Sequence, residues 1–299
     1  MGSLLVAGGA RDPNLGWLAE TARRLGVDCR ALLIDDAHLA RFAWTIGEAA
    51  TLDGIALDCS AAFIRHDVFL GGTANRTPEA ARVASSWYAA VTGFCVASDM
   101  FLFNRDISLR TGNKLAMLRL AAESGLSVPR TLVTNSLAEV SAFGEAGPTI
   151  AKPVMGGSHA MELGEAVAMA VWEADTAPSP AIIQPKLDYP ERRIYRIGSQ
   201  FFAFDIAAKT LDSRLDRSLG LAAIPLAILG DSVVDGLKRL TDTVRCDFCA
   251  IDMKTDPATG SLVFLELNNS PMFMGYDRPT GGAMAEAMVH YLMAGRTER

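Results

Sequence analysis

The stretch VFLELNNSP, residues 263–271, begins as a buried strand and ends in oxygen-bearing side chains. Glu266, Asn268 and Asn269 bring in a carboxylate and two amides, and Ser270-Pro271 stops the strand, because proline has no N–H to give to a ladder. Residues i and i+2 of a strand point to one side, so Glu266 and Asn268 share a face. The preceding FCAIDMKTD, residues 248–256, is a second apolar run, with Asp252 expected at its end. TDPATGS, residues 255–261, is rich in turn formers, so the two runs are expected to form a hairpin with Asp252 opposite Glu266 and Asn268. Two carboxylates and an amide are hard oxygen donors, suited to a Mg2+ ion that keeps water and phosphate among its ligands. A solvated sheet end would account for the same residues without a ligand.

Cationic side chains follow a matching pattern. Lys152 closes the apolar run PTIAK and precedes a small-residue loop containing Gly156, Gly157 and Ser158. A lysine before such a loop can hold a phosphate by charge while backbone N–H groups cradle it. The plain alternative is a strand-end lysine above a turn. Lys114 stands near the start of a helix, where a cation opposes the helix dipole and a bound anion is favoured. ERRIYR (191–196) and LDSRLDR (211–217) concentrate Arg192, Arg193, Arg196, Arg214 and Arg217. Alternation puts Arg193 and Tyr195 on one face. Guanidinium forks suit phosphate or carboxylate, and ion pairing with Glu191, Asp212 and Asp216 is the alternative.

Composition bounds the function. The chain has 299 residues, 50% hydrophobic and 21% charged, which is ordinary for a globular protein. Its length fits about two domains of roughly 100–200 residues each. A net charge of -6 argues against a broad nucleic-acid-binding surface but not against a local anion site. Cys246 and Cys249 form a CxxC without a second Cys/His pair at zinc spacing, so they are expected to be buried free thiols, like the scattered Cys29, Cys59 and Cys95. No apolar run reaches the ~18 residues of a membrane span, and MGSLLVAGGARDPN lacks the basic start and long apolar run of a signal peptide. A cytoplasmic protein without a membrane segment is the expectation.

Along the chain, strand and helix alternate from SLLVAGG (3–9) through a helix near 78–91, which argues for a parallel α/β sheet. GGARDPN does not spell the dinucleotide fingerprint GxGxxG. The C-terminal half has an α+β pattern. Helices are expected at 107–125, 134–147, 231–244 and 280–294, and strands at 127–133, 181–187, 247–253 and 261–267. A hairpin is expected over 192–209, turning at Gly198-Ser199, and TAPSPA (176–181) is a weak linker candidate.

The order of these features resembles the ATP-grasp superfamily, above all its peptide-modifying branch of ribosomal-protein glutamate ligases and microviridin-type (graspetide) macrocyclases. GNKLAMLRLAAESGLSVPRTLVTN is similar to their "NK…A…GL..P.TL.TN" segment, ERRIYRIGSQFFAFDI to their "DxRV.VVG..VFAA.I" hairpin, and FLELNNSP to their "LE.N..P" strand. The resemblance covers roughly residues 97–299, and SAAFIRHD (60–67) only faintly resembles a substrate-side strand of the macrocyclases. It implies an ATP-grasp fold with a Rossmann-like N-terminal domain over 1–97, a central subdomain over 98–184 and a C-terminal subdomain over 185–299. It further implies that Lys114 and Lys152 contact ATP phosphates, and that Gly156, Gly157 and Ser158 form a flap over them. Gln184, Pro185, Lys186 and Leu187 would be a hinge beside adenine, through the backbone of Lys186 and Leu187, with Glu191 also among the nucleotide contacts. Arg193 would sit by the reacting phosphoryl group, with Arg214 or Arg217 as a second cation. Asp252, Glu266 and Asn268 would hold Mg2+. The implied reaction is ATP-dependent joining of a carboxylate to an amine or hydroxyl, on a peptide or a small molecule. A non-catalytic nucleotide-binding module is the competing class. Homo-oligomers are common in the resembled family. Three departures bear on the substrate: Pro185 replaces the usual hinge glutamate, DIAAK follows the hairpin, and DSR and LDR are no clean match to a macrocyclase DWR.

Overall fold

Leu4, Leu5 and Val6 are fully buried, and they build the first strand of a parallel sheet in the computed structural model, which describes residues 2–35, 40–70, 77–155, 160–207 and 220–295. The chain divides into two units, the first made of residues 1–106, 196–200 and 270–299. In it, β1 (Leu4–Gly9) lies between β2 (Cys29–Ile34) and β6 (Ala61–Ile64), with β7 (Phe101–Leu102) at the edge, all parallel. Between β2 and β6, β3 (Phe42–Ala43), β4 (Thr51–Leu52) and β5 (Ile55–Ala56) form a small antiparallel sheet. Helix α1 (Pro13–Arg24) is capped by Asp12, whose carboxylate accepts from Asn14 N–H at 2.9 Å. Helix α2 (Pro78–Ala97) covers one sheet face, where Val91, Phe94 and Cys95 cluster with Leu5, Ala7, Leu32 and Ala62.

The glycines after β1 have a structural cause. A Cβ on Gly9 would lie 2.2 Å from the Asp67 carboxylate, so the close approach requires glycine. Arg65, in the faintly resembling SAAFIRHD, is buried and fully engaged. It donates to Asp12 at 2.7 Å, to the Pro271 carbonyl at 2.7 Å and to the Ser270 carbonyl at 3.3 Å. It is a structural knot within this unit.

The second unit comprises residues 107–195 and 201–269 and holds two sheets. Helix α3 (Lys114–Glu123) begins later than the periodicity predicts. A 3-10 turn over Leu109–Gly112 precedes it, and the Asn113 side chain caps it by accepting from Leu115 and Ala116 N–H. The first sheet has the order β10 (Met161–Glu162), β9 (Thr149–Pro153), β11 (Thr176–Pro185), β8 (Leu132–Ser136). Helices α4 (Leu137–Gly144) and α5 (Leu163–Met169) accompany it, and Val140 and Phe143 of α4 pack on Ala151 and Ile183. TAPSPA is no linker: it is the first half of β11, with a register break between Thr176 and Ala181 that accommodates its prolines.

The second sheet has the order β14 (Gly220–Ile224), β13 (Gln200–Ala207), β12 (Asp188–Ile197), β15 (Phe248–Thr255), β16 (Leu262–Asn268). Its core face packs Ile251, Met253, Phe264 and Leu267 against α3 and α6 (Asp231–Thr243). Cys246 and Cys249 are buried there and form no disulfide. The chain closes in the first unit with α7 (Met274–Asp277) and α8 (Ala283–Ala294), where the buried Asp277 carboxylate accepts from Met284 and Ala285 N–H. No described helix is long and apolar enough to cross a membrane.

Candidate active site

The face of the five-stranded sheet opposite its apolar core is charged, and strand register decides which groups meet. Asp252 lies directly opposite Glu266, and Ala250 opposite Asn268. Asp252 sits inside β15 rather than at its end, because that strand continues through Lys254 to Thr255. A bulge at Leu265 sets the phase: Asp252 pairs with Glu266, but Met253 pairs with Phe264. That extra residue lets Phe264 and Leu267, three apart, both reach the core while Glu266 stays on the charged side.

Two carboxylates directly opposite each other repel. Cations on both flanks compensate. Arg193 Nη1 lies 3.2 Å and 3.3 Å from the two oxygens of Asp252, and its Nε donates to the buried Tyr195 hydroxyl at 3.1 Å. Lys114 Nζ, from the first residue of α3, is 4.0 Å from Glu266 Oε2. Beside Arg193–Asp252 runs a second ion pair, Lys254 Nζ to Glu191 Oε2 at 3.3 Å, with side chains only 11% and 9% exposed.

Lys152 belongs to the same cluster. On β9 it pairs with Ile182, and Ile150 pairs with Gln184, so Lys152 and Gln184 share the face turned away from Ala151 and Ile183. Burial pushes the Lys152 ammonium from 10.5 down to about 8. Glu266 pulls it back up, while Lys114 and Lys254 add like-charge repulsion. Gln184 is buried, with its amide nitrogen donating to Thr131 Oγ1 at 2.9 Å and its Oε1 unpartnered. The Lys186 N–H, one of the backbone groups expected beside adenine, is already donated to the Pro148 carbonyl at 2.8 Å. The Lys186 side chain pairs with Glu162 at 2.6 Å.

The predicted residues thus divide. Lys114, Lys152, Glu191, Arg193, Asp252 and Glu266 form one linked set of charges, and Asn268 shares the face of Glu266. Arg192 instead pairs with Asp205 at 2.9 Å, and Arg196 donates to the Gly198 carbonyl at 2.7 Å in the hairpin turn. Gly156, Gly157, Ser158, Arg214 and Arg217 lie outside the described residues. Sequence reasoning missed Lys254, although alternation from Asp252 along AIDMK puts it on the charged face.

Among the described residues no three His, Cys, Asp or Glu side chains gather into a metal-holding group. The donor set of two opposed carboxylates and one amide nonetheless suits Mg2+, which takes few protein ligands and fills its sphere with water and phosphate oxygens. The surrounding cations suit the same anion.

No protein-family model and no curated protein matches the sequence. Solved structures do. The ATP-grasp ligase PsnB, complexed with a phosphomimetic variant of its minimal precursor, Mg and ADP, superposes with a TM-score of 0.75 at 25% identity, over 100% of this chain and 99% of that one. A RiPP-associated ATP-grasp ligase of Chryseobacterium gregarium, in complex with ADP and a leader and core peptide, matches with a TM-score of 0.72 at 18% identity, over 99% and 97% of the two chains. The macrocyclase MdnC of Microcystis aeruginosa MRC, bound with precursor peptide MdnA, matches with a TM-score of 0.71 at 17% identity, over 98% and 100%.

Proposed function

We propose that this chain, which has the ATP-grasp fold over its whole length, is an ADP-forming ligase. It activates a carboxylate as an acyl phosphate and joins it to an amine or hydroxyl, with a peptide as substrate. The observation that carries this reading is the linked charge cluster: opposed Asp252 and Glu266, flanked by Arg193, Lys114 and Lys152. The whole-length likeness to PsnB, solved with Mg, ADP and its precursor, adds the cofactors and the substrate class.

A carboxylate resists attack because it is anionic and its oxygen leaves poorly. Transfer of the γ-phosphoryl group of ATP to that oxygen makes it a leaving group and releases ADP. The nucleophile then adds to the carbonyl carbon, loses its proton and expels phosphate. No protein nucleophile is needed. The protein supplies position and charge. Lys114 and Lys152 bind the phosphates, and Arg193 balances charge on the transferred group. Gln184, Lys186, Leu187 and Glu191 are assigned to the nucleoside, and Gly156, Gly157 and Ser158, which lie outside the described residues, to the phosphates. Arg214 or Arg217 adds a second guanidinium. Asp252, Glu266 and Asn268 would hold Mg2+, which supplies charge neutralisation at the phosphate oxygens.

The test incubates the protein with Mg-ATP and synthetic peptides carrying Asp or Glu with Lys, Ser or Thr, in parallel with free amino acids. The expected result is ADP and phosphate release that depends on a peptide and disappears in Glu266→Gln. AMP as product overturns the acyl-phosphate step, and release driven by free amino acids alone overturns the peptide substrate.

A further inference from the structure

Tyr195 is fully buried, yet it stands apart from the apolar cluster that holds its strand neighbour Ile194. Alternation on β12 therefore turns Tyr195 to the charged face, two residues from Arg193. On β13 the same holds for the fully buried Phe204, whose neighbour Ala203 belongs to that cluster. The two rings meet edge to face, with centroids 5.9 Å apart and planes at 90°. An aromatic pair thus backs the charged face beside Arg193, and in such surroundings a hydrogen bond is stronger than in water. Phenylalanine would fill the place of Tyr195 with no polar atom to satisfy. The tyrosine brings a hydroxyl instead, and that hydroxyl accepts from Arg193 Nε at 3.1 Å, with Arg193 Cζ 5.4 Å from the ring centroid.

Arg193 is thereby held at two edges of one rigid plane. Its Nε–H points to Tyr195. Its Nη1, on the other side of the guanidinium, lies 3.2 Å and 3.3 Å from the oxygens of Asp252 on the neighbouring strand. One contact alone would let the planar group turn about it, whereas two contacts on opposite edges fix both its tilt and its rotation. Orientation matters because charge-assisted hydrogen bonds to phosphate are directional, and phosphoryl transfer depends on position. We propose that Tyr195 is a positioning residue: its hydroxyl, together with Asp252, sets the orientation in which Arg193 meets the γ-phosphoryl group of a bound nucleoside triphosphate. This rests on the ligase reading above. Tyr195 falls on an unspecified position of the hairpin pattern that ERRIYRIGSQFFAFDI resembles, so the device is a feature of this chain rather than of that pattern.

The experiment titrates Mg-AMPPNP and Mg-ADP, which differ by the γ-phosphoryl group, by calorimetry into the full chain and three variants: Tyr195→Phe, Arg193→Met and the Arg193→Met/Tyr195→Phe pair. Tyr195→Phe is expected to weaken Mg-AMPPNP binding about tenfold and to leave Mg-ADP within about twofold. A merely structural role would move both nucleotides together or neither. If Tyr195 acts through Arg193, adding Tyr195→Phe to Arg193→Met costs nothing further. The pair holds no guanidinium deprived of its hydroxyl, so that comparison stands even if Tyr195→Phe alone fails to fold. Unchanged Mg-AMPPNP affinity in folded Tyr195→Phe, equal losses for both nucleotides, or a further tenfold loss in the pair overturns the assignment. Wild-type protein that binds neither nucleotide would overturn the ligase reading, and this inference with it; wild-type binding of both keeps that reading whatever the variants do.

Discussion

Among the described residues, two Arg–Asp pairs are enclosed, and they are built differently. Arg65–Asp12, in the parallel-sheet unit, is 2.7 Å long with side chains 5% and 2% exposed. Arg65 Nη1 donates to two backbone carbonyls and Nη2 to the Met272 sulfur, and Asp12 also caps α1, so the pair is answered from within the protein. Arg193–Asp252, in the antiparallel sheet, is longer at 3.2 Å, with Arg193 Nη1 spanning both carboxylate oxygens. Asp252 also faces a second carboxylate, Glu266. A saturated pair is a fastener. A pair set against like charge, with lysines on its flanks, fits the proposed binding of a charged ligand.

Four measurements break or sharpen that contrast. Arg65→Met leaves Asp12 buried and unpaired, and is expected to cost about 3–5 kcal/mol of stability in denaturant titration, without changing nucleotide affinity of the folded fraction. A stable Arg65→Met protein that has lost nucleotide binding would move Arg65 into the active site. Glu266→Gln should lower peptide-dependent ADP formation on the order of 10²–10³-fold. It also relieves carboxylate repulsion, so the melting temperature should hold or rise. Unchanged turnover would remove the central assignment of the charged face.

Gly198, at the hairpin turn, has φ +59, and an added Cβ would lie 2.4 Å from the Tyr291 ring. Gly198→Ala should cost about 1–3 kcal/mol in thermal unfolding, again with nucleotide affinity kept. The last effect is a slope in pH. With its folded value pushed down to about 8 from 10.5, Lys152 is neutral in the folded chain but protonated in the unfolded chain between those values. The unfolded state then binds more protons, so stability rises with pH across that window, and the burial cost is fully present below it. Affinity for inorganic phosphate should move the other way, falling by up to about tenfold per pH unit above the folded value as the ammonium is lost. Lys152→Met should flatten both curves, and slopes that persist in it would place the titrating group elsewhere.

Much of this architecture is legible in the sequence because it depends on local pattern. The apolar runs at 248–253 and 261–267, the turn between them and the same-face spacing of Glu266 and Asn268 are all short-range features. The capped helix at Lys114 and the glycine turn at 198–199 belong to the same class. TAPSPA misleads because its composition is that of a linker, whereas β11 tolerates it through a register break.

What the sequence by itself determined is the inventory: which strands carry oxygen donors, which carry cations, and in what order. The tertiary structure decided the partners. Arg193, not Arg192 or Arg196, faces Asp252, because alternation on β12 turns its neighbours to the other side or into the turn. Lys152 meets the field of Glu266, Lys114 and Lys254 although 114 residues separate it from Glu266 along the chain. Lys254 acquires Glu191, and a one-residue bulge at Leu265 keeps Glu266 in register with Asp252. Local periodicity depends on bonds a few residues apart and is written in the chain. Charge pairing depends on cross-strand register, which exists only once the sheet has formed.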